Sequence, residues 1–302
     1  MWDLLVVDNA SSIPLAPRLD LAWHPQQRVV REEKLGLTHA RLRGIAETNG
    51  DVLVFVDDDN VLDEDYLEQM LVVAKKHPRI GSWSGDVHPI FEQPPPDWTR
   101  PYWVMHAIRE VAQDQIGATP YGAGLCIRRP VAVHYCQKVM ACSLRLALGR
   151  NGCNLVSAED ADLARCALDL DLEMGVFAQL RLKHLIPVHR LTEEYLLRLV
   201  EAMEFSNLLF AWLNSPDKAR SNLEGKKWIL KLNDSIRKFS RSIKEFGRLH
   251  RKFGRKKRFY RAKQRGIRAF HQILPLLQDP ASHLKAIERI RDWDSLVSPR
   301  RR

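Results

Sequence analysis

The sequence predicts an α/β fold of short buried strands alternating with helices, followed by a basic helical extension. Apolar runs of four or five residues predict the strands, and apolar positions spaced three or four residues apart predict the helices. A change in charge along the chain separates the extension from the rest. We therefore expect a first domain over residues 1–212 and a basic amphipathic helical extension over 213–302.

Five elements are predicted in the first 80 residues. In chain order they are a strand over 4–7, a strand over 28–31, a helix over 36–48, a strand over 52–56 and a helix that begins near Asp63 and ends before His77. The strands are rich in β-branched residues, and the helices crowd their apolar residues on one side. Because parallel strands need helical crossovers between them, this alternation predicts a mostly parallel sheet flanked by helices.

Composition indicates a globular chain in a reducing compartment. Of the 302 residues, 45% are hydrophobic, which suffices for a packed core, and no run reaches the roughly 18 apolar residues of a membrane span. The five cysteines have no C-x-x-C spacing, so neither a disulfide framework nor a zinc knuckle is indicated. The first residues lack the basic and then apolar pattern of a secretory signal, and we expect a cytoplasmic location.

A first group of acidic residues follows the predicted strands. Asp8 ends the strand over 4–7, and Asp57, Asp58 and Asp59 follow the strand over 52–56. In α/β sheets, ligands bind beyond the carboxyl ends of the strands. Adjacent carboxylates repel one another, and a hard divalent cation such as Mg²⁺ or Mn²⁺ relieves that repulsion. The alternative is a solvated acidic turn that caps the next helix.

A second acidic group precedes a predicted helix that begins near residue 159. Glu159 and Asp160 either cap this helix, or one of them removes a proton from an acceptor hydroxyl. His184 lies in a segment that alternates like a half-exposed strand. It is either a structural histidine or a contact to a metal or phosphate.

Together these motifs resemble the family 2 glycosyltransferases of the GT-A fold. The resemblance rests on Val6-Val7-Asp8-Asn9-Ala10-Ser11-Ser12, then Val54-Phe55-Val56-Asp57-Asp58-Asp59-Asn60, then Glu159-Asp160 ahead of a helix, across roughly residues 2–205. The segment Gly36-Leu37-Thr38-His39-Ala40-Arg41 is similar to the Gly-x-x-x-Ala-Arg segment of that family.

The resemblance implies a role for each candidate residue. Asp8 contacts the nucleotide base, Arg41 lies near the donor diphosphate, and Asp57 and Asp58 serve the ribose and metal side of a DxD-type motif. Asp59 ligates the cation, with Asp57 and His184 completing its site. Asp160 is the implied general base, with Glu159 as the second candidate.

The start of the chain departs from the family pattern. Family members carry a further strand and helix, with a Pro-x-Tyr-Asn-like segment, ahead of the Val-Val-Asp strand, whereas Met1 and Trp2 lead directly into that strand. We therefore expect the first domain to lack one strand–helix unit. Weaker donor binding, or none, is the expected consequence.

The basic extension contrasts with a mildly acidic body. Residues 218–268 hold 20 Lys and Arg but 3 Asp and Glu, whereas the rest of the chain holds 27 and 34, within a total net charge of +10. The run from Trp228 to Phe246 places apolar residues on one helical face and basic residues on the other. This pattern predicts binding to an anionic membrane surface, with docking on protein and binding to nucleic acid as alternatives.

These observations lead to one functional hypothesis and two alternatives. The first is an inverting, metal-dependent hexosyltransferase-type enzyme of cell-surface polysaccharide biosynthesis. It passes a sugar from a nucleotide donor, preferably a UDP-sugar, to a glycan or lipid-linked acceptor, and it lies peripherally on the inner face of the plasma membrane. The alternatives are a sugar nucleotidylyltransferase, which needs a Gly-rich phosphate loop that the sequence does not show, and a non-enzymatic basic nucleic-acid-binding protein, which leaves the acidic groups unexplained.

Overall fold

A computed structural model describes residues 2–152, 154–225 and 247–297. The chain divides into two compact units. The first comprises Met1–Cys142 and Glu159–Thr192, and the second comprises Ser143–Ala158 and Glu193–Arg302. This division places residues 193–212 with the C-terminal helices, and the domain boundary expected after residue 212 stays a prediction.

The first unit opens with a two-stranded parallel sheet. Strand β1 (Leu4–Asn9) pairs with β2 (Gln27–Glu32), as their apolar centres predict. Helix α1 (Leu37–Ala46) follows β2 and packs on β1, where a Cβ added to Gly44 would lie 3.8 Å from Cγ2 of Val7. The predicted strands over 4–7 and 28–31 and the predicted helix over 36–48 are therefore confirmed.

A separate six-stranded sheet forms the body of the first unit. The first five members of this sheet in chain order are β3 (Val52–Phe55), β4 (Asn60–Leu62), β5 (Ile80–Phe91), β6 (Gln115–Ile116) and β7 (Leu125–Arg128), and β8 (Glu173–Ile186) is the sixth. Their order across the sheet is β3-β7-β5-β8-β4, and β6 also pairs with β8. Helices α2 (Tyr66–Lys76), α3 (Arg129–Ala141) and α4 (Glu159–Arg165) accompany this sheet. Buried Trp83, Val87 and Phe177 belong to its core.

The α/β class is confirmed. The strand pairs of the six-stranded sheet, however, are mostly antiparallel, whereas mostly parallel pairs were expected. Strands β5 and β8 run parallel, but β3 with β7, β5 with β7, β4 with β8 and β6 with β8 all run antiparallel. The difference arises after α2. Strands β5, β6 and β7 follow one another through loops and a 3₁₀ stretch at Asp97–His106 rather than through long helical crossovers.

The second unit is helical in the residues that the structure describes. It contains α5 (Glu193–Asn214), α6 (Pro216–Gly225), α7 (Gly247–Leu277), α8 (His283–Arg291) and α9 (Trp293–Val297). Helices α5 and α7 pack closely, since a Cβ added to Gly266 would lie 2.2 Å from the carbonyl oxygen of Glu201. The ring of Phe205 contacts the rings of Phe270, at 6.1 Å between centroids, and of Trp293, at 5.1 Å.

Part of the predicted basic extension is described. In α7, Arg255 and Arg258 pair with Glu193, Lys263 with Glu204 and Arg265 with Glu201. The amphipathic stretch predicted from Trp228 to Phe246 lies outside the described residues. Within the described ranges, no helix has both the length and the apolar character that crossing a bilayer requires.

Candidate active site

Strand pairing brings Asp59 to His184. Asp59 lies in the turn between β3 and β4, and β4 pairs with β8 so that Asn60 stands opposite His184. The turn is held by the bond from the Asn60 amide to the Asp57 carbonyl, 3.0 Å, and by the bond from the Leu185 amide to the Asp59 carbonyl, 2.8 Å. As a result, Oδ2 of Asp59 lies 3.4 Å from Nε2 of His184.

Arg190 reaches the same carboxylate oxygen. Its Nη1 donates a hydrogen bond of 2.6 Å to Oδ2 of Asp59. Burial alone would raise the pKa of Asp59, but hydrogen bonds and positive charge from His184 and Arg190 outweigh it and lower that pKa to about 2. Asp59 is therefore a fixed anion at neutral pH.

The orientation of His184 suits a metal ligand. Nδ1 of its buried ring lies 2.8 Å from the carbonyl oxygen of His106, and because a carbonyl only accepts, Nδ1 must carry the proton. A proton on Nε2 lets the ring donate to Asp59, whereas without that proton the lone pair of Nε2 faces the Asp59 carboxylate. Two such acceptors at 3.4 Å repel each other unless a cation or a proton lies with them, and backbone carbonyls commonly orient metal-ligating histidines in this way.

The predicted set of three metal ligands is only partly assembled. Asp59 and His184 are together, whereas Asp57 faces Arg41, with 3.7 Å between its Oδ1 and Nη2 of the guanidinium. Among the residues that the structure describes, no group of three His, Cys, Asp or Glu side chains is arranged to hold a metal. Asp59 and His184 carry donor atoms of the kinds that a divalent cation accepts, and the described residues place no third such ligand beside them.

Arg41 joins the two acidic groups. This buried guanidinium lies on α1, with Nη1 3.2 Å from Oε1 of Glu159 and Nη2 3.7 Å from Oδ1 of Asp57. Burial opposes its charge, but the carboxylates of Glu159, Asp57 and Asp160 raise its pKa on balance. The resemblance implies that Arg41 lies near the donor diphosphate, and that role stays a prediction. In the structure its guanidinium pairs with Asp57 and with buried Glu159.

Asp160 is held by two backbone amides. Oδ2 accepts a bond of 2.9 Å from the amide of Gly122, and Oδ1 accepts one of 2.8 Å from the amide of Ala161 in the first turn of α4. A Cβ on Gly122 would lie 3.0 Å from Nη2 of Arg41 and 3.1 Å from Oδ2 of Asp160. An alanine at this position would therefore press on both side chains, because they lie close to the Gly122 backbone.

Asp8 lies at the end of β1 and organises the loop that follows. Its carboxylate accepts bonds from the amides of Ser11 and Leu15, both 3.1 Å, and from Nη1 of Arg31, 2.9 Å. The hydrogen bonds from Ser11 are the main cause that lowers the pKa of Asp8 to about 2, and those from Leu15 and Arg31 add to it. Both oxygens of this buried carboxylate have protein donors.

A cleft of about 460 Å³ opens beside Asp59. Its lining residues are Asp58, Asp59, Ile90, Glu92, Leu185, Ile186, Pro187 and Arg190. Asp58 is exposed and contributes to this wall. Among the contacts that the structure describes, none joins Asp58 to Arg41 or His184. Asp160 does not line the cleft in the described part of the chain, and its connection to Asp57 runs through Arg41.

Sequence reasoning missed Arg31, Arg190 and the specific role of Gly122. Arg190 lies six residues after His184 in a 3₁₀ turn, Val188–Leu191, and no spacing rule marks it. Arg31 lies in the half-buried part of β2, which is ordinary for a strand residue. Gly122 lies 38 residues before Asp160, and no local pattern marks the bond from its amide to that carboxylate.

Comparison with known proteins tests the predicted resemblance. The family model described as Glycosyl transferase family 2 matches residues 1–132. This match confirms, over those residues, the resemblance predicted from the motifs. No curated protein sequence matches the chain.

Similar solved structures include two glycosyltransferases. A structure of GalNAc-T7 with UDP, GalNAc and Mn²⁺ is 14% identical, has a TM-score of 0.45 and covers 73% of this chain. This chain spans about half of that protein, 48%. Residues 1–349 of S. aureus TarS are 13% identical, with a TM-score of 0.42, and cover 96% of this chain and 80% of that one. A complex of the same TarS fragment with UDP-GlcNAc has 12% identity and a TM-score of 0.41, with the same coverage.

Proposed function

We propose that this chain is an inverting glycosyltransferase that moves a sugar from a nucleoside-diphosphate sugar, with a UDP-sugar as donor, to a glycan or lipid-linked acceptor. One observation carries the proposal: Arg41 lies between Asp57 and Glu159, and thereby joins the acidic turn after β3 to the helix that carries Asp160. Direct displacement at a sugar carbon requires a group that binds the donor and a base that deprotonates the acceptor. We assign both roles to residues that this network of side chains connects.

The donor side uses the turn after β3 and the end of β1. Asp59 and His184 would hold the divalent cation, Mn²⁺ or Mg²⁺, which would supply Lewis-acid stabilisation of the departing diphosphate. Asp57 and Asp58 serve the ribose and metal side of the same turn. Asp8 orders the loop over residues 10–15, against which the nucleotide base is read. Arg190 adds a positive charge beside Asp59 at the wall of the cleft, suited to a diphosphate oxygen.

The acceptor side uses Asp160. Its carboxylate takes the proton from the acceptor hydroxyl as that oxygen forms a bond to the anomeric carbon and the bond from that carbon to the diphosphate oxygen breaks. One displacement inverts the anomeric centre, and no covalent enzyme intermediate forms. Glu159 is buried against Arg41 and positions that guanidinium, so Asp160 is the base of the pair.

A donor screen tests this proposal. The full chain is incubated with Mn²⁺ and a panel of UDP-, GDP- and TDP-sugars, and release of nucleoside diphosphate is measured with and without glycan acceptors. Asp160→Asn is the test variant, and Asp217→Asn, on the exposed surface of α6, is the matched control. Acceptor-dependent release that survives in Asp160→Asn at the control's rate contradicts the assignment of the base.

We also propose that the chain works at the cytoplasmic face of the plasma membrane, in cell-surface polysaccharide synthesis, through the basic segment 218–268. Four basic side chains of α7 form ion pairs with acidic residues of α5. On the same helix, Lys256, Arg261 and Arg268 are exposed. Exposed basic side chains on a helix favour anionic lipid headgroups. Flotation with liposomes of neutral or anionic lipid, comparing the chain with a Lys256→Gln, Arg261→Gln, Arg268→Gln variant, tests this. Equal flotation of both proteins contradicts the role of α7.

A further inference from the structure

Tyr121 lies next to the residue that holds the proposed base. The amide of Gly122 donates to Oδ2 of Asp160, 2.9 Å, and the nitrogen of that amide is bonded to the carbonyl carbon of Tyr121. The backbone of Tyr121 is therefore one residue away from the Asp160 carboxylate. Its half-buried aromatic side chain has no part in the proposed donor and base roles.

The backbone of Tyr121 is anchored on the face of the sheet that carries helix α4. Its amide donates to Oγ of buried Ser84 on β5, 3.2 Å. Two residues earlier, Oγ of Ser82 donates to the carbonyl oxygen of Ala164 on α4, 2.9 Å. Residues two apart on a strand point to the same face, so both serines face the layer of α4. Tyr121 therefore lies on the same side of the sheet as Asp160.

Arg109 covers one face of the Tyr121 ring. The central carbon of its guanidinium lies 3.9 Å from the centroid of that ring. The guanidinium must lie over the face, because the ring hydrogens prevent so close an approach from the edge. The side chain of Tyr121 is only half-buried, and its ring is thus open to solvent at the edge and on the face away from Arg109.

Arg109 is itself held through both its backbone and its side chain. The Val87 amide on β5 donates to the Arg109 carbonyl, 2.9 Å, and the Arg109 amide donates back to the Val87 carbonyl, 3.3 Å. Nη1 of the guanidinium donates to the carbonyl oxygen of Thr119, 3.0 Å. A ring that stacks on a guanidinium fixed in this way has few orientations. A ligand that binds the ring therefore costs little side-chain entropy.

The stacked pair belongs to a segment whose two ends contact the two halves of the candidate site. This segment covers residues 106–122. At its start, the carbonyl oxygen of His106 lies 2.8 Å from Nδ1 of His184. At its end, the amide of Gly122 donates to Asp160. The stack closes the segment on itself, and so links the part that orients the histidine to the part that holds the proposed base.

A rigid, partly open aromatic ring beside a base suits a sugar ring. A pyranose presents several C–H groups on one face and hydroxyls around its rim. The face of an aromatic ring carries partial negative charge and attracts such polarised C–H groups. A sugar stacked on Tyr121 keeps its rim hydroxyls free to reach a nearby carboxylate. Because the next residue bonds Asp160, we assign the ring to the acceptor side of the site.

We propose that the acceptor sugar stacks on Tyr121, with one face of its pyranose ring against the open face of the aromatic ring and one hydroxyl turned toward Asp160. Arg109 is a positioning residue that holds the aromatic ring in place. This inference rests on the proposed function and narrows it, because the group that receives the transferred sugar is then itself a pyranose ring.

Steady-state kinetics with the pyranose acceptor that gives the fastest release of nucleoside diphosphate is the first test. Tyr121→Leu removes the aromatic face and is expected to raise the KM of the acceptor about tenfold. The KM of the donor, and the rate of donor hydrolysis without acceptor, are expected to stay within about twofold. Tyr121→Phe keeps the face, so its acceptor KM is expected within about twofold of the parent value. Tyr195→Leu, on half-buried α5 surface, is the matched control.

Three kinetic outcomes overturn the proposal. The first is an acceptor KM that Tyr121→Leu leaves unchanged, and the second is an acceptor KM that Tyr121→Phe raises as much as Tyr121→Leu does. The third is a larger change in the KM of the donor than in that of the acceptor, which assigns the ring to the donor sugar. Transfer only to acceptors that lack a pyranose ring contradicts the proposal as well.

A binding measurement separates this inference from the proposed function. The full chain is prepared with isotope-labelled tyrosine rings, and the NMR signal of Tyr121 is identified by its loss in Tyr121→Phe. Methyl glycosides of glucose, galactose and N-acetylglucosamine at millimolar concentration are expected to shift this signal and to leave that of Tyr195 in place. Absence of a shift with every glycoside overturns the proposal. A shift in a chain that releases nucleoside diphosphate from no donor supports sugar binding at Tyr121 and contradicts the proposed function.

Discussion

Arg190 and His184 meet on one oxygen of Asp59. Nη1 of Arg190 donates at 2.6 Å and Nε2 of His184 lies at 3.4 Å from the same Oδ2. A divalent cation held by Asp59 and His184 must share that oxygen with a guanidinium. We therefore expect the proposed cation and Arg190 to compete for Asp59 until the diphosphate of a donor offers Arg190 another partner.

This competition predicts opposite effects of two neighbouring substitutions on metal binding. Without donor, Arg190→Gln is expected to tighten Mn²⁺ binding about fivefold, because a repelling charge near the cation is removed. His184→Ala is expected to weaken it by at least about tenfold, because a ligand is lost. Titration of free Mn²⁺ by electron paramagnetic resonance measures both, with Arg181→Gln on exposed β8 surface as control. Weaker binding in Arg190→Gln contradicts the competition.

The environment of Asp8 predicts a stability contribution that acid removes. Hydrogen bonds from Ser11, Leu15 and Arg31 lower the pKa of Asp8 from 3.8 to about 2, so its contribution is fully present above pH 3.8 and is lost as the pH falls toward 2. Asp8→Asn is expected to lower the melting temperature at pH 7 and to converge with the parent chain near pH 2. Thermal melts from pH 7 to pH 2 check this, with exposed Asp3→Asn as control. If the melting temperatures of Asp8→Asn and the parent chain differ by the same amount from pH 7 to pH 2, the charge of the Asp8 carboxylate is not the source of that difference.

Asp160 and Glu159 are predicted to differ in how they affect turnover. Asp160→Asn keeps the shape of the side chain but removes the base, so kcat is expected to fall about 10²- to 10⁴-fold with the donor KM little changed. Glu159→Gln leaves buried Arg41 with one carboxylate fewer, so a lower melting temperature is expected along with the loss of activity. Steady-state kinetics and thermal melts on both variants separate a base from a positioning residue. Equal melting temperatures and equal kcat in the two variants contradict this division.

Local sequence patterns were sufficient for the elements that flank the site. The apolar run before Asp57 predicted β3, and the acidic residues after it were placed correctly at a strand end. The same reasoning predicted α1 and the start of α4, because caps and apolar spacing are local signals. Family resemblance added the grouping of Asp59 with His184, which the pairing of β4 with β8 accomplishes.

Long-range pairing was beyond local patterns. Nothing near Arg190 predicts its bond to Asp59, which is 131 residues away in sequence, and nothing near Arg41 predicts that Glu159 buries against it. The sequence also does not predict that β7 lies between β3 and β5 and runs antiparallel to both. The direction of a strand depends on the connections that precede it, and the loops before β7 have no pattern that reveals this direction. The predicted site roles and the domain boundary at residue 212 stay predictions.

Gly122 offers the most selective test of the network around Arg41. An alanine Cβ there would lie 3.0 Å from Nη2 of Arg41 and 3.1 Å from Oδ2 of Asp160, closer than most Cβ contacts. Relief of that crowding needs a shift of a few tenths of an ångström at Arg41 or Asp160. Because such a shift weakens the bond from the Gly122 amide to the proposed base, we expect Gly122→Ala to lower kcat about three- to tenfold, while Mn²⁺ affinity at the proposed site of Asp59 and His184 stays within about twofold.

Gly44→Ala supplies the matched control for Gly122→Ala. Gly44 lies on the same helix as Arg41, but its added Cβ meets Cγ2 of Val7 at an ordinary 3.8 Å. Since alanine favours a helix over glycine by about 0.5–1 kcal/mol, this variant is expected to melt at or above the parent temperature with kcat unchanged. If Gly122→Ala keeps full kcat while Asp160→Asn loses it, the Gly122 amide does not position the base. Asp160 then works from a geometry that the neighbouring backbone does not fix.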